Sequence, residues 1–479
     1  MILRVINHPY EFDMKNLCIT FFPHEKIRLE GEEDPVVVTT RRETDGSFFV
    51  SAKVYDVYRE TTAKPEPADE EHLVLSVTLY RLLSGILGFA PAWGVLYGVR
   101  PAKLMHRLCA QMGDDAAVAH FQTAFLTQKS KAELAHEVML HENRSIARSG
   151  PKSFSLYVSI PFCPTRCAYC SFVSHSIEKT HKLMTPYVDL LLRELEETSK
   201  YAKELGLELA TVYFGGGTPT TLSAQDLGRI FSTIEQNFDL SHLMEYTVEA
   251  GRPDTVTRER LEVIQAAGVQ RISINPQSFN DKVLEAIGRR HTAQQTLDAF
   301  ALARDCGFDH INMDFIAGLP EDDLPSFQRS IQTALDLQAE SITVHTLALK
   351  TSAYMVTREQ TFDLKDRLTV SNMVDYAGQT LHGAGYYPYY MYRQSKSLGN
   401  LENVGWCKPG YDCLYNVYMM DETHTVLAVG AGAVTKLRGQ NSGMIERIYN
   451  YKYPYEYIRD FDTLLERKKR IPGFYAEYD

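Results

Sequence analysis

From residue 153 onward, the chain alternates short apolar runs with longer amphipathic segments. The apolar runs predict six β-strands at residues 155–161, 210–214, 245–249, 271–275, 311–316 and 341–347. Between the strands, apolar residues recur every three or four positions, as Leu227, Ile230 and Ile234 do, and this spacing predicts amphipathic helices. Strands and helices that alternate in this way form βαβ units with a parallel sheet. The pattern therefore predicts an α/β fold, and six units favour an incomplete (β/α)6 barrel over a closed eight-stranded one.

The segments on either side of this region are less regular. Residues 17–22, 36–40 and 48–54 predict strands, and residues 73–87 and 101–109 predict helices, so residues 1–150 are interpreted as an N-terminal α+β domain. A polar stretch at 142–152 marks its end. The barrel is then expected at 151–350. Residues 351–479 are interpreted as a C-terminal domain that covers the mouth of the barrel.

Composition and charge narrow the function classes. The chain has 479 residues with 44% hydrophobic and 23% charged side chains, the mixture of an ordinary soluble protein. A net charge of −11 argues against a general nucleic-acid binder. Residues 82–99 carry no charge, but glycines and Pro91 interrupt them, so a buried helix and loop are favoured over a membrane span. We expect a cytoplasmic monomer that binds neither nucleic acid nor membrane, and a solvated helix face at the basic run 467–470.

Three of the eight cysteines lie together directly after the first strand of the predicted barrel. Cys163, Cys167 and Cys170 have the spacing C-x3-C-x2-C. Three thiolates on one loop can hold three irons of a [4Fe–4S] cluster and leave the fourth iron open. Two alternatives remain open at this point, a structural zinc site with His175 as fourth ligand and three thiols without a metal.

The cysteine spacing, with the aromatic Tyr169 just before the last cysteine, resembles the signature of the radical S-adenosylmethionine (SAM) enzymes. The resemblance implies that the open iron binds the amino and carboxylate groups of SAM. It also implies that one electron from the reduced cluster cleaves SAM into methionine and a 5′-deoxyadenosyl radical. A small flavodoxin or ferredoxin is the expected electron donor.

Four further segments are similar to the oxygen-independent coproporphyrinogen III oxidase (coproporphyrinogen dehydrogenase) family, in its longer form with an N-terminal extension. They lie at residues 157–163, 214–220, 271–280 and 312–320. The resemblance implies contacts with a first SAM from Tyr157, Gly216, Gly217, Thr218 and Glu249. It implies contacts with a second SAM, and a catalytic role, for Tyr169, Gln277, Arg289 and Asp314. The implied reaction turns two propionates of coproporphyrinogen III into the vinyl groups of protoporphyrinogen IX in anaerobic heme biosynthesis.

The same residues also have a physical interpretation. A glycine triplet after a strand lets backbone N–H groups approach a ligand closely. Glu249 and Asp314 lie in or at the end of apolar strands, where an unpaired charge is costly, and a structural ion pair is the alternative for each. A substrate with four carboxylates needs cations, and the candidates are Arg100, Lys103, Arg107, Arg252, Arg393 and Lys396.

The sequence departs from the family pattern at two places. Ser171 and Phe172 stand where the best-known members carry a fourth cysteine, and the phenylalanine form also occurs in a heme-chaperone branch. Tyr415 replaces a histidine of those chaperones, and imidazole is an ordinary axial ligand of heme iron. A heme-binding chaperone and a radical SAM enzyme acting on another tetrapyrrole, such as heme, therefore remain as alternatives.

Overall fold

The computed structural model describes residues 1–23, 25–170, 175–348, 364–394 and 397–479. Ser171, Phe172 and Lys396, which the sequence analysis singled out, lie outside these residues. The chain divides into two compact units. The N-terminal unit contains residues 1–139, 359–371 and 391–403, and the barrel unit contains residues 140–358, 372–390 and 404–479. The predicted domain boundaries at residues 150 and 350 stay a prediction.

The N-terminal unit is built on a four-stranded sheet. Its strands are β1 (Ile2–Ile6), β2 (Val36–Arg42), β3 (Phe48–Val54) and β4 (Val57–Ala63), in the order β1-β2-β3-β4. Strand β1 runs parallel to β2, and the other neighbours are antiparallel. The helices of this part of the chain are α1 (Glu11–Phe21), α2 (Glu71–Leu87), α3 (Pro101–Met112), α4 (Asp114–Thr123) and α5 (Lys129–Ile146). The predicted strands at 36–40 and 48–54 and both predicted helices are confirmed.

The strand predicted at residues 17–22 is wrong, because these residues form the end of α1. Met14, Leu17, Cys18 and Phe21 are buried at the spacing of one helix face, so the short apolar run is part of a longer helical pattern. The uncharged stretch 82–99 holds the end of α2, which stops at the left-handed Gly88, and the loop after it. Among the residues described, no helix is both long enough and apolar enough to cross a membrane.

The remaining strands belong to the barrel unit, except that residues 391–393 of β13 and 402–403 of β14 are part of the N-terminal unit. They are β5 (Ser153–Ile160), β6 (Phe162–Cys163), β7 (His175–Ser176), β8 (Glu208–Gly216), β9 (Glu245–Glu249), β10 (Arg271–Ser273), β11 (His310–Ala317), β12 (Ser341–Thr346), β13 (Tyr387–Arg393), β14 (Glu402–Cys407), β15 (Thr425–Val429), β16 (Val434–Arg438) and β17 (Ile445–Tyr449). The main sheet has the order β13-β14-β12-β11-β10-β9-β8-β5-β15-β16-β17. Within it, β5, β8, β9, β10, β11 and β12 are parallel neighbours in chain order. The sheet is open, which confirms the predicted incomplete (β/α)6 barrel.

Helices follow the parallel strands as the hydrophobic spacing predicts. They are α6 (Ile177–Glu204), α7 (Ala224–Asn237), α8 (Arg258–Ala266), α9 (Asp281–Ala286), α10 (Ala293–Asp305) and α11 (Leu324–Asp336). The later part of the chain adds α12 (Leu364–Gly383), α13 (Leu414–Asp421), α14 (Pro454–Arg459), α15 (Phe461–Lys468) and α16 (Arg470–Tyr478). Helix α7 shows why the sequence forms such a helix locally. The Ser223 side chain accepts a hydrogen bond from the backbone N–H of Asp226, and Leu227, Ile230 and Ile234 bury one face.

The C-terminal part of the chain completes the sheet. Strand β15 pairs in parallel with β5, and β14 pairs antiparallel with β12. A buried ion pair between Lys468 Nζ and a Glu194 carboxylate oxygen, 2.7 Å apart, connects α15 to α6. The prediction of a solvated face for residues 467–470 is therefore wrong for Lys468, because its ammonium group is neutralised inside the protein. Glu194 also accepts a hydrogen bond from the backbone N–H of Gly430, just after β15.

Candidate active site

The cysteine loop leaves the carboxyl end of β5, at the edge of the sheet where βα barrels carry their active sites. Backbone contacts hold it in place. The N–H of Ala168 donates to the carbonyl of Ile287 at 2.9 Å, and the N–H of Cys170 donates to the carbonyl of Cys167 at 3.1 Å. The loop is therefore anchored to the segment at Ile287 and closes a turn between Cys167 and Cys170.

The glycine triplet of β8 packs directly against the start of this loop. The N–H of Gly217 donates to the carbonyl of Ile160 at 2.7 Å, and the N–H of Thr218 donates to the carbonyl of Phe162 at 2.7 Å. The Thr218 hydroxyl lies 3.5 Å from Cys163 Sγ and donates to it. A side chain at Gly217 would collide with the Phe162 carbonyl oxygen, so the close approach requires glycine. The triplet thus fixes the position of Cys163.

A buried arginine faces the second cysteine. The Arg252 guanidinium donates to Cys167 Sγ at 3.7 Å and to the Thr165 hydroxyl at 3.1 Å. Its other nitrogens bind both carboxylate oxygens of Asp254 at 3.0 Å. Arg252 was expected among the cations that bind substrate, but its guanidinium is engaged with these groups. Its position suits a charge that stabilises a cysteine thiolate or the cluster bound to it.

Glu249 ends β9 beside a group of tyrosines. The Tyr213 hydroxyl donates to a Glu249 carboxylate oxygen at 2.6 Å. Burial raises the pKa of Glu249 to about 7, although the hydrogen bond from Tyr213 opposes that shift. Tyr157 is aligned with Tyr213 on the neighbouring strand, and burial together with the Glu249 charge raises the pKa of Tyr157. This carboxyl group can therefore accept or release a proton near neutral pH, or bind ribose hydroxyls of a nucleoside when ionised.

Tyr415 covers this group from α13. Its ring stacks on Tyr213 with centroids 4.4 Å apart and on Tyr157 with centroids 5.9 Å apart. The buried Glu245 carboxylate accepts hydrogen bonds from the N–H groups of Leu414 and Tyr415 at 2.5 and 3.3 Å. The first N–H groups of a helix have no partner within the helix, so a carboxylate that binds them stabilises the start of α13 and holds Tyr415 in place.

Asp314 lies on β11, the fifth parallel strand of the barrel, where neighbouring side chains bind its carboxylate. Burial favours its neutral form, but the His345 imidazole, 3.9 Å away, and the Asn312 amide, 2.7 Å away, favour the carboxylate and hold the pKa of Asp314 below its usual value. Gln277 lies beside Asp314, because its N–H donates to the Asp314 carbonyl at 2.9 Å. Its backbone has a φ of 68°, in the left-handed region that non-glycine residues rarely adopt. Such strain is common where a side chain is aimed into a site.

Tyr169, from the cysteine loop, contacts the buried Arg289. The Arg289 guanidinium donates to the Tyr169 hydroxyl at 3.2 Å and to the Asn275 carbonyl at 2.5 Å. Arg289 is almost completely buried, and its Nε has no hydrogen-bond partner within the described part of the chain. A buried arginine nitrogen without a partner calls for an explanation, and an acceptor on a bound molecule would supply one.

The structure thus brings the sequence-predicted residues together in pairs. Thr218 meets Cys163, Tyr157 lies by Glu249, Gln277 lies by Asp314, and Tyr169 meets Arg289. Sequence reasoning missed Tyr213 and the role of Arg252. A weak signal was present for Tyr213, since it stands two residues before the glycine triplet on a buried strand.

The other proposed substrate cations lie in the N-terminal unit, apart from Lys396, which is outside the described residues. Arg393 is buried there and donates to the carbonyls of Leu96, Gly98 and Asn400, so its charge supports a loop of that unit. Arg100 and Lys103 have interaction partners of their own. Arg107 is exposed on α3.

The donor chemistry of the cysteine loop fits an iron–sulfur cluster. Three soft sulfur ligands come from one loop, which leaves one iron of a cubane without a protein ligand. The hydrogen bonds from Thr218 and Arg252 point at two of these sulfur atoms, and such donors stabilise anionic sulfur. Carboxyl and tyrosine side chains at the neighbouring strand ends supply groups that can bind the polar parts of a nucleoside.

A partial barrel with such a loop at its carboxyl edge defines the radical SAM class, and comparison with known proteins agrees. The pattern of the radical SAM superfamily matches residues 157–334. The chain is 34% identical over 470 residues to the oxygen-independent coproporphyrinogen-III oxidase-like protein HemZ of Bacillus subtilis, covering 95% of this chain and 94% of that one. It is 30% identical to the heme chaperone HemW of Haemophilus influenzae over 320 residues, 66% of this chain and 78% of that one.

Among solved structures, the coproporphyrinogen III oxidase HemN of Escherichia coli shares the fold, with a TM-score of 0.51 and 21% identity over 68% of this chain and 72% of that one. The chain belongs to the family of oxygen-independent coproporphyrinogen-III oxidase-like radical SAM proteins. Its cofactors are accordingly a [4Fe–4S] cluster and SAM.

Proposed function

We propose that this protein oxidatively decarboxylates two propionates of coproporphyrinogen III to vinyl groups and so forms protoporphyrinogen IX. Cys163, Cys167 and Cys170 are the proposed cluster ligands. Two observations support the proposal at the level of the family: the similarity to HemZ extends over almost the whole chain, and HemN has the same fold. The residues of the site support it as well, because they offer ligands for a cluster and polar groups that can bind SAM.

When bound, the cluster and SAM supply a 5′-deoxyadenosyl radical that removes one hydrogen atom from the β-carbon of a propionate. Thr218 and Arg252 orient and stabilise the ligand thiolates through the contacts described above. Glu249, held by Tyr213, is the proposed acceptor for SAM hydroxyls. Asp314, Gln277 and the Tyr169–Arg289 pair are proposed to bind a second SAM and to act in catalysis. The substrate radical would then lose CO2 as its carbon–carboxylate bond breaks, and its remaining electron would pass to an oxidised carrier such as a flavodoxin or ferredoxin.

The observation that favours this enzyme over a heme chaperone is the environment of Tyr415. This residue takes the place of the chaperone histidine, and its ring is buried against those of Tyr157 and Tyr213. A phenol can bind heme iron, as in catalase, but only if heme reaches its oxygen. The stacked ring instead forms a wall of the proposed SAM site, so Tyr415 is expected to shape that site.

The test is an anaerobic turnover assay. Reconstituted protein is mixed with SAM, dithionite and coproporphyrinogen III, and tetrapyrroles and 5′-deoxyadenosine are followed by mass spectrometry. We expect the loss of two carboxyl groups as CO2 with formation of 5′-deoxyadenosine. The Arg289→Lys variant should assemble a cluster but lose most product, because lysine lacks the planar fork of donors. The adjacent Arg290→Lys variant is the matched control, since Arg290 is exposed and pairs with Glu178.

Two outcomes would reject the proposed reaction, and a third would reject the proposed role of Arg289. Formation of deoxyadenosine without any change in the porphyrinogen would mean that the protein cleaves SAM but acts on another substrate. An intact cluster without SAM cleavage, together with binding of one heme per chain, would favour the chaperone function. Equal product from the Arg289→Lys and wild-type proteins would reject the role of Arg289 at the second SAM.

A further inference from the structure

A group of potential metal ligands lies in the N-terminal unit, on helices that take no part in the barrel site. Cys109 is in the last turn of α3, Asp114 is the first residue of α4, and His136 is on α5. One ligand atom from each residue lies within 4.8 Å of the other two. Within the described part of the chain, this is the one group of three or more Cys, His, Asp or Glu side chains arranged so closely.

The backbone explains how these residues meet. Gly113 separates α3 from α4 with a φ of 84°, a value that glycine adopts readily, and the second helix begins immediately after the first ends. Cys109 and Asp114 therefore approach each other from two helix ends, and α5 adds an imidazole from a distant part of the sequence.

His136 and Asp114 are close enough for a hydrogen bond, but the direction of the contact does not suit one. His136 Nε2 is buried and lies 3.1 Å from a carboxylate oxygen of Asp114. Even so, neither this oxygen nor another group in the described residues makes a well-directed hydrogen bond with that nitrogen. A buried ring nitrogen usually has such a partner. A cation between the nitrogen and the oxygen would satisfy both atoms.

We propose that Cys109, Asp114 and His136 bind a divalent zinc ion. Thiolate, imidazole and carboxylate are the three ligand types that zinc uses in proteins, and together they exclude ions such as Mg²⁺ and Ca²⁺, which prefer oxygen alone. Bond lengths of about 2.0–2.3 Å place tetrahedral ligand atoms about 3.5 Å apart. The ligand atoms therefore need to converge by about 1 Å, which side-chain rotation supplies.

The fourth coordination position would face water. The Asp114 side chain is 55% exposed and His136 is 23% exposed, so one side of the group is open to solvent. Three protein ligands with one open position are typical of zinc sites that bind a further molecule, whereas purely structural zinc sites use four protein ligands. The site is thus suited to an exchangeable ligand such as water or a small anion. It is separate from the proposed decarboxylation, which does not depend on it.

The test uses the full-length protein with its iron–sulfur cluster assembled and SAM present, because empty cluster cysteines would bind zinc themselves. Zinc is added under anaerobic equilibrium dialysis and counted by mass spectrometry of the metals. X-ray absorption at the zinc edge then reports the ligands without interference from iron. We expect one zinc per chain, bound by one sulfur and by nitrogen or oxygen atoms. Zinc in the cluster would show several sulfur ligands instead.

Variants separate this site from adventitious binding. Cys109→Ser and His136→Gln should each weaken zinc binding by about 100-fold or more, since even outer contacts of metal sites are worth 10–100-fold. Cys306→Ser is the matched control, because Cys306 is another half-buried free cysteine, beside Arg258. Iron content and SAM cleavage should be unchanged in all three. Failure to retain zinc in the wild-type protein, or a zinc spectrum without a single sulfur ligand, would overturn the proposal even if a variant did not fold.

Discussion

The close contact between the glycine triplet and the cysteine loop makes a quantitative prediction for Gly217→Ala. A β-carbon at this position would lie 2.5 Å from the Phe162 carbonyl oxygen and 2.9 Å from the Ile160 oxygen and the Phe162 nitrogen. All three are backbone atoms, which cannot rotate away as a side chain can. Overpacking costs about 1–3 kcal/mol, and we expect the upper end of this range. The strand end must move, and Cys163 moves with it.

Two measurements follow the consequences. Urea denaturation of the cluster-free protein reports the loss of stability, which should appear as a lower midpoint. Iron and sulfide content after anaerobic reconstitution reports the position of Cys163, and we expect it to fall well below the wild-type value. The reasoning behind the fall is geometric, because a cluster needs its three thiolates in a fixed arrangement.

Gly228→Ala is the matched control for this experiment. Gly228 lies inside α7, where an added β-carbon would meet only Val263 Cγ1 at an ordinary 3.7 Å. Alanine at a helix interior should leave iron content unchanged and stabilise the protein by up to about 1 kcal/mol. Wild-type iron content and an unchanged urea midpoint in Gly217→Ala would refute the argument that this contact positions the cluster ligand.

Two further predictions concern the electrostatics of the site. Arg252→Met should lower the reduction potential of the cluster by about 50 mV, because it removes a positive charge, and the shift is modest because Asp254 already neutralises part of that charge. An electron-paramagnetic-resonance redox titration measures the potential, with the exposed Arg258→Met variant as control. An unchanged potential in Arg252→Met would contradict the prediction. Burial raises the pKa of Glu249 from 4.5 to about 7, so its contribution to folding is full below about pH 4.5 and is lost as the pH rises through 7, at a cost of about 3 kcal/mol. The thermal stability of cluster-free Glu249→Gln should therefore fall less than that of the wild type between about pH 5 and pH 8.5, and parallel curves would contradict the assignment.

The sequence predicts the barrel well because of how parallel strands are built. All six strands are buried on both faces, so each is a short continuous apolar run that stands out between amphipathic helices. Parallel strands also end at the same edge, and this rule leads to the prediction that Glu249, Gln277 and Asp314 lie toward the edge that carries the cysteine loop.

Contacts between distant segments are not predictable in this way. Tyr415 reaches the site from α13, more than 150 residues after Glu249, and no local pattern reveals that it stacks on Tyr213. Lys468 illustrates the same limit, because a lysine in a basic run is usually solvated, and only the fold shows that Glu194 lies opposite. The prediction for Arg252 fails to locate its partners for a similar reason, since Thr165 and Cys167 come from a loop about 85 residues earlier.

The pairing of β15 with β5 and of β14 with β12 has a consequence for biosynthesis. Both outer members of the six-stranded parallel array find their neighbours only in the last fifth of the chain. Until the ribosome has released those segments, the nascent barrel has two unpaired strand edges, which are a template for aggregation. The protein is therefore expected to depend on chaperone protection until β14 and β15 have been synthesised, and iron–sulfur assembly has a stable acceptor only after that point.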